Sequence, residues 1–254
     1  MQKGGLRTKG ITKKSTEEEP LITVVTVVYN GEATLEHTIQ SVMNQTYDNI
    51  EYIIVDGGSK DNTLNIIKKY EDKIDYWQSE TDKGIYDAMN KGISLATGEF
   101  VALLNSGDWY EIDAIDSVVK AYKENKDIDV FYSLMRILNE KRELQWIYGY
   151  GHNVLNSFMI SHPTSFVKRS VYEKNQYNLS YRSAADYDLF LTLYQKGYKF
   201  YFIEKINANY LLGGMSDSYI GKKESLLVQY RHKTISFYTF IFKYAYFSIM
   251  DILK

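Results

Sequence analysis

The chain has 254 residues, a formal net charge of −2 and no cysteine. That length buries a core without help from disulfides or structural metal, and the lack of cysteine rules out a thiolate nucleophile, a disulfide frame and a Cys-ligated zinc site. A near-neutral chain carries no bulk charge signature of a nucleic-acid binder.

Residues 1–19, rich in Lys, Thr, Gly and Glu and ending at Pro20, read as a flexible polar arm. No apolar leader opens the chain, so no secretory signal is expected. Leu21 to Val28 (LITVVTVV) is a β-branched run without alternation, the pattern of a central parallel strand covered on both faces. An amphipathic helix is predicted over Ala33 to Asn44, and a second strand, Ile50 to Val55, runs into Asp56-Gly57-Gly58-Ser59. A helix from Thr63 to Tyr70, a short strand over 74–78 and a helix from Ile85 to Ala96 follow, with Gly98 as the expected helix stop. The strand Phe100 to Leu104 breaks off at Asn105-Ser106-Gly107-Asp108, and another helix is predicted over Ile112 to Lys126.

Strand and helix alternating with short connections imply an α/β fold with a mostly parallel sheet flanked by helices. Beyond Asp129 the rhythm loosens into short strands (129–134, 144–148, 164–167), a helix from Ala185 to Lys196, and two strands near 199–203 and 208–212.

Ligands of open α/β sheets bind beyond the carboxyl ends of the strands. Four polar segments fall on that edge: Thr26 to Asn30, Asp56, Asp82-Lys83-Gly84, and Asn105 to Asp108. Each alone is an ordinary turn, but together they describe a polar floor able to hold ions. The first strand leads into Tyr29-Asn30-Gly31-Glu32-Ala33-Thr34, which lacks the second and third glycines of G-x-G-x-x-G. A dinucleotide fold is therefore not expected. G-x-x-x-x-G-K-[ST], H-E-x-x-H and G-x-S-x-G are all absent, which removes P-loop NTPases, zincins and serine hydrolases with a nucleophile elbow.

Five strings carry a specific resemblance: "ITVVTVVYNGEATLEHTIQSVMNQTYDNIEYIIVDGGSKDNT", "SETDKGIYDAMNKGISLATGEF", "LLNSGDWY", "HPTSFVKRS" and "SAADYDLFLTL". In this order, over roughly residues 20–216, the chain resembles a family 2 glycosyltransferase of the GT-A fold, in the branch that builds bacterial O-antigen, capsule and other surface polysaccharides. The resemblance implies a GT-A catalytic domain over 20–216, with a nucleotide-sugar-binding half (20–128) and an acceptor and base half (129–216), then a C-terminal helical segment (217–254). It also implies an inverting transfer from a nucleotide diphosphate sugar, a UDP-sugar in the usual case, to a glycan or lipid-linked acceptor. A cytoplasmic enzyme that touches the inner face of the membrane would serve that role, with no nucleic acid as partner.

The same resemblance implies residue roles. Tyr29 lies against the base and Asp56 accepts from its ring N–H, with Thr26, Asn30, Asn90 and Asn105 as further nucleotide-sugar contacts. Lys83, ahead of a helix N-terminus, faces the diphosphate. Asp108 matches the ligand of Mn²⁺ or Mg²⁺, while Gly107 takes the place of the acid that precedes that ligand in many relatives. His162 stands near the diphosphate or the acceptor, and Gly213-Gly214-Met215-Ser216 matches a loop that folds over the donor. The catalytic base maps to Asp186, where Ala185 replaces a Glu common in relatives.

Asp186 has a competing explanation, because Ser183-x-x-Asp186 is a capping-box pattern. Its spacing to Leu189, Phe190 and Leu193 puts it on their inward face, whereas Asp188 groups with Thr192 and Gln195. Two readings from other classes stay open. A nucleotide-sugar-binding protein without turnover would explain the loss of two acids, at Gly107 and Ala185. A nucleotidyltransferase would require a Gly-rich basic loop after the first strand, which is not present. The stretch 233–254, dense in Phe, Tyr and Ile, lies among Lys222, Lys223, Arg231, Lys233, Lys243 and Lys254. Rings and cations together suit a helix lying in an anionic headgroup layer, or one packed on protein.

Overall fold

The computed structural model describes residues 1–213 and 218–252. Strand β1 (Gln2–Gly4) opens the chain. Then come β2 (Ile22–Val28), α1 (Leu35–Met43), β3 (Ile50–Asp56), α2 (Thr63–Lys69), β4 (Tyr76–Ser79), α3 (Ile85–Leu95) and β5 (Phe100–Leu103). The second half holds β6 (Trp109–Tyr110), α4 (Ala114–Glu124), β7 (Val130–Leu138), β8 (Leu144–Tyr148), β9 (Phe166–Lys168), the single turn α5 (Arg169–Tyr172), α6 (Ala185–Gln195) and β10 (Phe200–Leu211). Two helices close the described chain, α7 (Tyr219–Arg231) and α8 (Phe237–Ile252).

The strands form one sheet in the order β1-β4-β3-β2-β5-β9-β7-β10-β6, with β8 paired to β7. The β4-β3-β2-β5 core is parallel. Strand β9 runs antiparallel to both β5 and β7, so β7 and β10 point the same way as that core. Every residue of β2 is buried, which explains its unbroken apolar run: one face, with Ile22 and Val24, packs under α1, α2 and α4, and the other, with Val25 and Val27, packs under α3 and α6. The result is a three-layer α/β/α arrangement, as the alternation of elements implied.

Three expectations change. The polar arm is not a loose tail, because β1 pairs with β4 at the sheet edge. Arg7 bonds Leu95 O at 2.7 Å and lies 3.4 Å from Glu51, while Lys13 pairs with Asp75 at 2.9 Å. Both acids are buried, and a buried carboxylate requires a partner. Gly98 is not the stop of α3, which ends at Ala96 in extended conformation. Gly98 instead lets the chain run close to β2, where a Cβ would sit 2.6 Å from Leu21 O. The two strands expected near 199–203 and 208–212 are one strand, β10, whose register against β7 slips between Ile203 and Ile206 and again before Ala208. Such irregularities bend a strand without ending it.

Candidate active site

A cleft of about 800 Å³ opens beyond the carboxyl end of β5. The turn Asn105 to Asp108, the first turn of α3 and the start of α6 line it, with Met135, Trp146 and Leu211 from β7, β8 and β10. The turn after β5 is held by its neighbours. Thr38 donates to Asp108 O at 2.8 Å and accepts from Gly107 N at 3.1 Å. Gly107 sits at φ +107°, where glycine is at ease and other residues are strained. Strand β6 then pairs with β10 through Trp109 and Asn209, and this brings Leu211 to the turn.

Asp108 is 4% exposed, and among the described residues its carboxylate receives one long bond, from Leu211 N at 3.4 Å. Burial pushes its carboxyl up to about 8, the Leu211 N–H acting in the opposite direction. Beside it, Asn105 Oδ1 is buried and finds no partner among the described residues. A desolvated carboxylate and an unpartnered amide oxygen are hard oxygen donors that fit Mn²⁺ or Mg²⁺. No group of three acids or histidines suited to a metal occurs among the described residues, so the remaining ligands would come from the nucleotide and water.

On the nucleotide side the structure separates the residues that the resemblance grouped. Tyr29 is 59% exposed at the end of β2, and a Cβ on Gly57 would lie 3.5 Å from its ring and 2.5 Å from Asp82 Oδ2. Tyr29, Gly57 and Asp82 thus form one open ledge. Asp56 is not on it. It is fully buried and accepts from Ser59 N at 3.1 Å, from the Ser59 hydroxyl and from Ser79 Oγ at 2.6 Å. Those donors occupy the lone pairs that a base would need.

Thr26 is equally buried and accepts from Tyr52 OH at 3.1 Å. Asn30, at φ +51°, uses its Oδ1 to hold Lys60 N at 2.9 Å. Asn90 is spent on the main chain of Tyr177, donating at 2.9 Å and accepting at 3.0 Å. Lys83 is exposed at the start of α3, outside the cleft lining. These four side chains face the scaffold or solvent and not the cleft.

The base half converges better. Asp186 lines the cleft, and its Oδ1 accepts from Tyr86 OH at 3.1 Å and from Tyr187 N at 2.9 Å. No bond falls on its Oδ2 among the described residues. Burial, reinforced by Asp186, holds the Tyr86 phenol far above its ordinary range, so it stays a donor. The capping box does not form: α6 has no side-chain cap of its own, and Ser183 Oγ is buried without a partner among the described residues. Asp188 faces α7, accepting from His232 Nε2 at 2.9 Å. His162 is buried at the cleft wall with Nε2 3.0 Å from Tyr177 OH. Burial pushes its imidazole below the usual value, Asp186 opposing, which leaves the ring neutral. Gly213 lines the cleft at φ +110°, while Gly214, Met215 and Ser216 lie outside the described residues.

Tyr86 and Arg182 were not singled out from sequence, and Ser183 was named only as the start of a capping-box pattern. Arg182 is a guanidinium in the cleft lining, and its place just before the capping-box pattern was the one available signal.

Comparison with known proteins agrees with this architecture. The family model "Glycosyl transferase family 2" matches residues 23–202, and the chain belongs to that family. It is 27% identical over 232 residues to the Uncharacterized glycosyltransferase MJ1057 of Methanocaldococcus jannaschii, covering 85% of this chain and 80% of that one. It is 30% identical to the chondroitin synthase of Pasteurella multocida over 78% of this chain, which spans only 21% of that longer protein. Two solved structures share the fold. TarS 1-349 of S. aureus, in complex with UDP-GlcNAc, superposes with a TM-score of 0.68 at 18% identity, over 82% of this chain and 64% of that one. The mannosyltransferase PcManGT of Pyrobaculum calidifontis, in complex with GDP-Man and Mn²⁺, gives 0.68 at 16% identity, over 91% and 70%. The fold is that of the GT-A transferases, and the class of activity is nucleotide-sugar glycosyl transfer.

The bonds around Asp56 give a first test. Asp56→Ala strands the Ser59 and Ser79 donors at the ends of β3 and β4 and costs about 1–3 kcal/mol of stability, visible as a lower urea midpoint. A variant with wild-type stability but lost UDP affinity would return Asp56 to the role of base reader.

Proposed function

We propose that the chain is an inverting, metal-dependent glycosyltransferase that moves a sugar from a UDP-sugar to a glycan or lipid-linked acceptor in surface polysaccharide synthesis. The observation that carries the reading is one cleft lined by two dissimilar carboxylates. Asp108 is desolvated and short of a counter-charge, whereas Asp186 is held by a phenol and has an open oxygen.

In this reading the uracil lies on the ledge of Tyr29 and Gly57, with Asp82 beside it to accept from a ring N–H. Asp108 and Asn105 Oδ1 are the residues that would hold a divalent cation. When bound, that cation neutralises charge on the leaving diphosphate. Arg182 and the main-chain N–H groups at the start of α3 face the same charge. Asp186 takes the proton from the acceptor hydroxyl as that oxygen attacks the anomeric carbon, and the nucleotide diphosphate departs from the opposite face. His162, neutral and bonded to Tyr177, shapes the wall and carries no charge into it.

The acceptor's class has its own support. Seven large apolar or aromatic side chains of α8 are exposed: Phe237, Tyr238, Ile241, Phe242, Tyr244, Tyr246 and Ile249. Exposed Lys222, Arg231, Lys233 and Lys243 stand among them. No helix among the described residues is long and apolar enough to cross a membrane. A surface of rings and cations suits the headgroup layer of an anionic bilayer, where a lipid-linked acceptor would be met.

Two variants and one binding assay test these assignments. Asp108→Asn should remove Mn²⁺-dependent UDP binding in titration calorimetry and leave the fold intact; equal affinities for both proteins would free Asp108 of the metal. Asp186→Asn should lower kcat by about 10²- to 10⁴-fold at unchanged donor affinity. Wild-type protein that binds UDP-sugars but transfers to no acceptor in a broad panel would favour the non-catalytic binding protein. Full-length protein should pellet with anionic vesicles and release at high salt, and protein that stays in the supernatant with anionic vesicles would assign α8 to a protein contact.

A further inference from the structure

The N-terminus of a helix leaves main-chain N–H groups without internal partners. At α6, the helix that carries Asp186, the N-cap residue Ala184 and the two residues before it are held from another element. Glu224, midway along α7, accepts from Arg182 N at 3.0 Å, from Ser183 N at 2.7 Å and from Ala184 N at 3.2 Å. The local sequence contains a second solution to the same problem, because Ser183 and Asp186 have the spacing of a capping box. In that arrangement the Asp186 carboxylate would turn back to the N–H of Ser183. The two solutions exclude each other, since one N–H cannot serve both acids. The structure adopts the first: Asp186 bonds Tyr86 and Tyr187, and Ser183 Oγ has no partner among the described residues.

We propose that Glu224 is a positioning residue for Asp186: by holding the main chain that leads into α6 and occupying the Ser183 N–H, it keeps the carboxylate of that helix turned to the cleft. The proposal rests on the reading of Asp186 as base. Its partner helix is well anchored. Gln229 donates to Ser157 O at 2.9 Å and to Tyr187 OH at 3.2 Å, Arg231 donates to Tyr181 OH at 3.0 Å, and His232 meets Asp188 and Gln195 at 2.9 Å each. Val228 is buried in the core beneath α6. With α7 fixed on this row of contacts, Glu224 is presented to the α6 terminus at a constant height. The residue lies beyond the span matched by the family model, which ends at 202. A helix appended to the catalytic domain thus completes its active site.

The test measures the full-length Glu224→Ala and Glu224→Gln variants beside Asp186→Asn and the Asp186→Asn/Glu224→Ala double variant. Glu224→Ala should lower kcat by about 10- to 100-fold, the scale of a misplaced reacting group, with donor KM and Mn²⁺-dependent UDP affinity unchanged. Glu224→Gln keeps an acceptor oxygen for these N–H groups and should recover most of that loss. In the Asp186→Asn background, Glu224→Ala should add no further loss, because it acts through the group already removed. A folded Glu224→Ala enzyme with kcat within twofold of wild type overturns the proposal, as does a parallel fall in kcat and UDP affinity or a full additive loss in the double variant. Should the Ala variant not fold, Glu224→Asp decides, because its shorter side chain withdraws the carboxylate from these N–H groups: reduced kcat at unchanged UDP affinity supports the role, and wild-type kcat ends it. Failure of the base reading is separate, because Asp186→Asn would then retain its rate whatever Glu224 does.

Discussion

A carboxylate taken out of water must be compensated, and the cost of leaving it bare exceeds that of most other faults in a protein interior. Asp108 is such a group, closed in by the β5 turn and by Leu211 of β10. Several features follow from the need to keep it there. Gly107 takes up the left-handed turn. Thr38 of α1 ties both sides of that turn, and β10 must slip its register against β7 before it can place Leu211 at the turn. The cleft is built around a buried acid with no ion-pair partner among the described residues, and burial pushes its carboxyl up to about 8.

The loops that follow β2 and β3 show the opposite strategy, in which many polar groups are spent on one another. Thr63 Oγ1 accepts from Gly31 N at 2.8 Å, Asp61 from Glu32 N at 3.0 Å, and Glu32 in return from Asn62 N at 2.9 Å. With Asn30 and Asp56 also engaged, these loops are a rigid platform under Tyr29. Rigidity here leaves few side chains free to read a ligand, and this is why, in the proposed function, contact with a base is given to the ring of Tyr29 and the carboxylate of Asp82.

How far the sequence could be read depended on the distance to each residue's partner. The buried run of β2, the alternation of strands with helices, and the break of β5 at Asp108 are local patterns, and they were legible. Asp56 and Asn90 were not, because what claims them is Ser79 in one case and the main chain of Tyr177, 87 residues away, in the other. The polar start of the chain misled for a related reason. Its composition resembles a disordered arm, yet Arg7 and Lys13 answer acids set in apolar surroundings, Glu51 inside β3 and Asp75 just before β4. A lone acid inside a hydrophobic strand signals a distant cation, though not which one. The capping box at Ser183 failed in the same way, since Glu224 is forty-one residues downstream of it.

Gly107 also bears on how this turn can vary. One nucleotide change converts a glycine codon to aspartate, and a Cβ at this position would meet only Thr34, at 3.9 Å. Space is therefore no obstacle to a second acid beside Asp108. The backbone angle is, because an L-residue held at φ +107° is strained, by an amount on the order of 1–3 kcal/mol. Such a change would have to arrive with a remodelled turn. Lineages descending from this sequence are thus held to a single carboxylate by the shape of their main chain, whatever pressure acts on their chemistry.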